Sequence, residues 1–173
     1  MYGKLVPAED VDDFIILRMR AFTSETRQIV TQRVLTAEGL ALLEWQVMFS
    51  VARFGTCHLA HITRHTSIDP AHGSRAATAL EKRKLISRID DPKNRRRKLI
   101  SLTPEGVKTF ERVWPRAQHV IRMVEKDFTP QEFEEFKRLL DKANQAVENM
   151  MENLDTEEKD DAHKPSQMQR KTA

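Results

Sequence analysis

The chain has 173 residues, of which 32% are charged and 39% hydrophobic, enough for one domain with a core of its own. Its single cysteine, Cys57, excludes an intrachain disulfide and a cysteine-based metal framework; with no signal-peptide pattern and no run of apolar residues long enough to span a bilayer, a soluble cytoplasmic protein is expected. The formal net charge of +3 conceals an uneven distribution: residues 1–54 hold six Lys/Arg and seven Asp/Glu, residues 55–104 eleven against four, and residues 105–161 nine against fifteen. A nucleic-acid-binding face and a solvated charged surface both produce such a basic block, so its local structure has to decide between them.

From Val11 to about Leu35, Phe14, Leu17, Ala21, Phe22, Ile29 and Val34 recur at helical spacing, and Ile15, Ile16 and Met19 thicken the stripe. A second helix is expected in "EGLALLEWQVMFSVAR", with Leu42, Trp45, Met48, Phe49 and Ala52 on one face and Phe54-Gly55 as its stop. Two short helices follow. Leu59 and Ile62 give the first a buried side, and Asp69-Pro70 opens the second as an N-cap with proline in the first helical position. Ala76, Ala77 and Leu80 of that second helix are available to pack, which makes the pair a helix-turn-helix candidate.

The stretch "SRIDDPKNRRRKLISLTPEG", Ser87 to Gly106, comes next. Ile86 and Ile89 predict a short strand, Asp90 to Asn94 supply turn chemistry, and "RKLISLT" returns with Ile100 and Leu102 on one face. The arginines therefore sit at the tip and descending arm of a β-hairpin just after a recognition helix, which is the arrangement of a winged helix-turn-helix.

Thr103-Pro104-Glu105 starts another helix, along which Val107, Phe110, Trp114, Ala117, Ile121, Val124 and Phe128 fall three and four apart. Thr129 and Glu132 form a capping box for the last helix, whose stripe is Phe133, Phe136, Leu140, Ala143, Val147, Met150 and Leu154. Stripes this apolar suit either an intramolecular core or dimerisation, and dimerisation is expected because they exceed what a small DNA-binding lobe can cover. The tail 155–173 has almost nothing to bury and is expected to be disordered.

The run "SRAATALEKRKLISRIDDPKNRRRKLISLTPEG" resembles the recognition helix, wing and following helix start of the MarR-type transcriptional regulators, a likeness that extends loosely from Val11 to Leu154. It implies a mainly α fold with a small β-hairpin wing: one domain over 1–154, with dimerisation helices at 11–35 and 104–154 around a winged helix-turn-helix at 40–103. It implies a homodimeric, sequence-specific regulator of double-stranded DNA, a repressor released from a pseudo-palindromic operator by a small effector such as an aromatic acid or its thioester. By the same resemblance the DNA contacts fall near Ala71, His72, Ser74 and Arg75 of the recognition helix and on Arg95 and Arg96 of the wing, and Lys93 and Arg97 beside them are further candidates. Arginine suits both places, since it reads guanine bidentately in the major groove and is drawn into a narrow minor groove. This chain departs from the family in having Asn94 where an aspartate commonly precedes the wing arginines, and Lys84 where a glycine commonly precedes the Leu-Ile that ends the recognition helix.

Three features invite other readings. His58, His61 and His65 at i, i+3 and i+7 would share one helix face, a metal-ligand spacing, but Leu59 and Ile62 claim the buried side, so an outward face near DNA phosphates is favoured over metal sensing. Cys57 suggests a redox switch, yet no second cysteine exists to resolve it. Pro115, within a helix, would free the Glu111 carbonyl and kink the axis, helping to open an effector pocket of Met19, Phe22, Trp45, Met48 and Trp114, with Arg20 or Arg27 meeting an anionic ligand. These are equally good core residues. No glycine-rich phosphate loop and no paired nucleophile and base stand out, so neither an enzyme nor a bound cofactor is expected, and a ligand-independent DNA-binding protein is the plainer rival.

Overall fold

The first apolar stripe forms helix α1, Ile15–Val30, and the expected single helix to Leu35 ends earlier. A π turn over Thr31–Leu35 and a 3-10 turn over Thr36–Glu38 follow it, and they turn Val34 and Leu35 inward to become fully buried. The computed structural model describes residues 14–162; expectations that fall on Val11 to Asp13 or on 163–173 lie outside the described residues. Helix α2 is Leu42–Phe54. Its buried side is Trp45, Val47, Met48 and Val51, whereas Ala52, expected on that side, is exposed, because the core contacts α2 along a line set by Val47 and Val51.

A two-residue strand β1, Cys57–His58, precedes helices α3, Leu59–Thr66, and α4, Pro70–Lys82. The Asp69 carboxylate accepts from the Ala71 and His72 N–H groups at 2.9 and 3.1 Å, as a cap before Pro70 should. Ala76, Ala77 and Leu80 are buried and join the core. Gly73 sits where α3 crosses: a Cβ there would lie 2.8 Å from the Thr63 Cγ2.

Strands β2, Ile86–Asp91, and β3, Asn94–Leu102, make the hairpin, and β1 pairs with the far edge of β3, giving the antiparallel order β1-β3-β2. The β1 pairing, Cys57 to Ile100 and His58 to Leu99, had no sequence signal, since two residues carry no alternation. Helix α5, Pro104–Glu125, runs unbroken through Pro115. Its cap is Thr103, whose hydroxyl accepts from the Gly106 N–H at 3.0 Å.

The chain divides into two units, 1–123 and 124–173. The core of the first is Leu35, Val47, Met48, Ile62, Leu80, Ile86, Ile100 and Val113, drawn from nearly every element named. In the second, helix α6, Pro130–Ala162, extends eight residues past Leu154, into the segment expected to be disordered. The sequence of that extension, "DTEEKDDA", has almost no apolar residue to bury. The capping box at its start is formed: Glu132 accepts from the Thr129 N–H and hydroxyl, both at 2.8 Å, and these bonds hold the Glu132 carboxyl below its ordinary range. No single described helix is long and apolar enough to cross a membrane.

Candidate nucleic-acid interface

The base of the wing is fixed by a turn that residue preference argues against. Helix α4 ends with the Lys84 N–H donating to the Glu81 carbonyl and the Leu85 N–H to the Leu80 carbonyl, both at 2.9 Å, which is a Schellman closure. Such a closure needs a left-handed residue, and Lys84 supplies it at φ 59°. Glycine would fill this place without strain, so the lysine costs about 1–2 kcal/mol. The neighbours over-determine the turn. Thr103 Oγ1 donates to the Lys84 carbonyl at 2.6 Å, and the Thr103 N–H donates to the Leu85 carbonyl at 3.1 Å. Gly106 comes so close that a Cβ would lie 1.9 Å from the Leu85 carbonyl oxygen. The "LTPEG" sequence is thus a clasp on the end of the recognition helix.

At the tip, Asp91 pairs with Asn94 across Pro92-Lys93, but Asp90 pairs with Lys98. The register therefore skips Arg95, Arg96 and Arg97, and the three arginines lie on a bulge rather than a regular ladder. The bulge is pinned on both sides. Lys98 Nζ pairs with Asp90, the Asp91 Oδ1 accepts from the Lys93 N–H at 2.8 Å, and the Asp91 Oδ2 lies 3.1 Å from His58 Nε2. Asp91 thereby fixes the turn backbone and ties the wing to β1.

Ala71, His72, Ser74 and Arg75 are exposed along α4, and Lys93, Arg95 and Arg97 are exposed on the wing. The backbone of Arg96 lies in β3, and its side chain is outside the described residues. Among the described residues, the side chains of Arg75, Lys93, Arg95 and Arg97 have no ion-pair partner. Some cations elsewhere are paired: Arg112 and Arg116 both hold Glu38 at 2.9 Å, and Arg83 donates to Glu44 at 3.1 Å and to the Gly39 carbonyl at 2.9 Å. Cations left without counter-charge on one surface are what a polyanion would neutralise.

Arg88 was missed by sequence reasoning. It projects from β2 onto α4, where Nη2 donates to Thr78 Oγ1 at 3.0 Å, and so joins wing to recognition helix. Only its place two residues after a buried strand position could have hinted at this.

The histidines are not arranged as their spacing suggests. His58 is in β1, because α3 begins one residue later, so the three do not share a helix face. His61 and His65 pack on the Phe54 ring, with His65 still exposed: their ring centroids are 4.5 Å apart and lie 4.9 and 4.6 Å from the Phe54 ring. Among the described residues no three His, Cys, Asp or Glu groups gather to hold a metal. Cys57 is half-buried, and burial pushes its thiol pKa up, away from the thiolate that oxidation requires.

A cavity of about 560 Å3 lies between α1, α2, the end of α3 and α5. Phe22, Arg27, Trp45 and Trp114 line it; Met48 is in the core, Met19 is half-buried off the cavity, and Arg20 lines an adjoining polar cavity of about 480 Å3 that also includes Arg27. Phe49, on the face of α2 that periodicity gave to Trp45, also lines it; lining residues that periodicity could not supply are Gln46 and, at the end of α3, His65, Thr66 and Ser67. Its wall is an aromatic array, with Trp45 stacked on Phe110 at 5.2 Å and Phe49 against Trp114 at 5.3 Å.

Comparison with known proteins supports the same reading. The sequence profile of the MarR family matches residues 38–97. The chain is 30% identical over 93 residues to YhbI, an uncharacterised HTH-type transcriptional regulator of Bacillus subtilis; the match covers 54% of this chain and spans 60% of that protein. A probable transcriptional regulator from Pseudomonas aeruginosa superposes with a TM-score of 0.66 at 27% identity, covering 76% of this chain and 98% of its own. Bordetella bronchiseptica BpsR, whose DNA binding is regulated by 6-hydroxynicotinic acid, superposes with a TM-score of 0.68 at 24% identity, covering 83% and 97%.

Proposed function

We propose that this chain, whose residues 38–97 match the MarR family profile, is a homodimeric DNA-binding transcriptional regulator of that family, a repressor that a small anionic aromatic ligand releases from its operator. The observation that carries DNA binding is the set of cations without counter-charge on α4 and the wing. Ser74 and Arg75, with Ala71 and His72, meet base edges in the major groove, and Lys93, Arg95, Arg96 and Arg97 meet the flanking backbone and minor groove. A two-fold dimer sets its two helices about 34–36 Å apart, which matches successive major grooves of a pseudo-palindrome. A protein that does this works in the cytoplasm, where the DNA is.

The dimer is supported by apolar side chains left in solvent: Ile16 is 70% exposed on α1, and Met150 63% exposed on α6. The effector is supported by the cavity, which has an aromatic wall for a planar ring and Arg27 for an anionic group. Binding there alters DNA affinity only so far as the ligand prefers one arrangement of the DNA-binding elements, and the contact of the cavity with the end of α3 gives it that purchase.

One titration tests both parts. Trp45 and Trp114 are the only tryptophans, so aromatic acids that enter the cavity change the fluorescence, and the same acids weaken binding to a duplex recovered from a random-sequence pool. Benzoic, salicylic and 6-hydroxynicotinic acids and their thioesters form the panel. Fluorescence and DNA affinity that stay flat across it leave a ligand-independent DNA-binding protein.

A further inference from the structure

The 3-10 turn that ends at Glu38 is held from two directions, by α5 and by the end of α4. The Glu38 side chain is only 13% exposed, and both of its carboxylate oxygens are engaged. Oε2 accepts from Arg112 Nε and Oε1 from Arg116 Nη1, both at 2.9 Å, so two guanidiniums one helical turn apart on α5 share one acid. At Gly39, whose φ is 61°, the chain leaves the turn left-handed. There the Glu38 and Gly39 carbonyls accept from a single Arg83 guanidinium at 3.4 and 2.9 Å. Arg83 directly follows α4 and also donates to Glu44, which caps α2 by accepting from the Ala41 N–H at 2.9 Å. An isolated surface ion pair holds little, whereas a shielded carboxylate with two charge-assisted bonds, on a turn whose carbonyls bind a third guanidinium, fixes a geometry.

We propose that Glu38 is a positioning residue that sets the angle of the winged helix-turn-helix on α5, and through it the separation of the two recognition helices in the dimer. The inference rests on the reading of the chain as a DNA-binding dimer. Helix α5 meets the core of the winged segment through Val113 and Ala117. Apolar burial is non-directional, so these contacts hold the helix against the core without fixing its angle there. The bonds to Glu38 are directional and supply that angle. Any rotation of the turn carries the end of α4 with it, because Arg83 grips the same two carbonyls. Half-sites one helical turn apart accept one separation of the recognition helices, so the link decides which spacing is read. It does not decide which bases are read, since the exposed residues of α4 and the wing lie on other elements.

The test uses a two-half-site duplex recovered from a random-sequence pool, the same duplex with one base pair added or removed between the half-sites, and a single half-site. Each is titrated with the wild type, with Glu38→Gln, with a chain carrying both Arg112→Gln and Arg116→Gln, and with Arg83→Gln. Arg112 and Arg116 are exposed, so their replacement keeps the fold; melting temperatures check the other two variants. Respacing is expected to weaken the wild type about tenfold or more and each variant about threefold or less. All four proteins bind the single half-site alike. Arg83→Gln added to the Arg112 and Arg116 replacements changes the spacing penalty no further, because both cut one link, whereas independent losses multiply. Equal spacing penalties in wild type and variants overturn the assignment while the DNA-binding dimer stands. A uniform loss on every duplex with a lowered melting temperature overturns it as well, since it marks bonds that only stabilise the fold. A slope of log K against log salt that falls by about 0.9 per arginine removed makes Arg112 and Arg116 phosphate contacts and also overturns it. A wild type that selects no duplex, or one without two half-sites, overturns the reading beneath it.

Discussion

The winged segment and the terminal helices are opposites in what they leave uncovered. From Leu40 to Leu102 the large apolar side chains are mostly buried, and what reaches solvent is basic: Arg75, Lys93, Arg95 and Arg97. Helix α6 is acidic and α1 carries three arginines against one glutamate, yet on both of them large apolar side chains reach solvent: Ile15 and Ile16 on α1, Val147, Met150 and Leu154 on α6. A segment that completes its own core can spend its surface on a charged partner. Helices whose apolar side chains outrun their own core leave surface of the kind that the proposed dimer would cover.

If the winged segment is self-sufficient, its most sensitive point is the clasp at its base. Gly106→Ala forces a methyl against the Leu85 backbone and is expected to cost about 3 kcal/mol or more, read as a fall in chemical and thermal unfolding midpoints. An unchanged midpoint would mean that the clasp opens freely and that the wing is not rigidly set. The apolar side of the comparison is broken by Val147→Glu on α6, an exposed position whose change spares the fold of the monomer. A weakening of self-association of about 100-fold, or roughly 2.7 kcal/mol, is expected in sedimentation equilibrium; an unaltered mass at all concentrations would place the dimer contact elsewhere.

Within the basic surface, Arg75→Ala is expected to cost about 1–3 kcal/mol of operator affinity and to flatten the preference for operator over random DNA, measured by competition binding. Equal losses on both duplexes would make Arg75 a backbone contact. The smallest effect sharpens the account of the turn: Lys84→Gly relieves the left-handed lysine, partly offset by the greater freedom of glycine in the unfolded chain, and should raise stability by about 0.5–1 kcal/mol. Destabilisation would show that the lysine side chain contributes something its backbone conformation conceals.

Local chemistry was legible wherever cap and period act within a few residues. Asp69-Pro70, Thr103-Pro104 and the Thr129–Glu132 box each start a helix where expected, because a cap is satisfied by its own next turn. The hairpin was legible for the same reason. The end of α1 was not, since no residue type marks a π turn, and neither was β1, whose two residues exist as a strand only because β3 lies beside them. The histidine triad failed on a boundary of one residue: with α3 starting at Leu59, His58 falls in the strand and the shared face disappears.

The sequence by itself determined the order of the elements, their caps and where positive charge gathers, since all of these follow from short-range spacing and side-chain type. Only the tertiary structure decided which cations stay unpaired, because Arg83, Arg112 and Arg116 meet acids that are remote in the chain while Arg75 and Arg97 do not. It also decided that Lys84 must turn left-handed beneath Gly106, and that Trp45, Phe49 and Trp114 wall a cavity at the edge of the core they help to build. Each of these depends on distances between residues tens of positions apart, which periodicity does not encode.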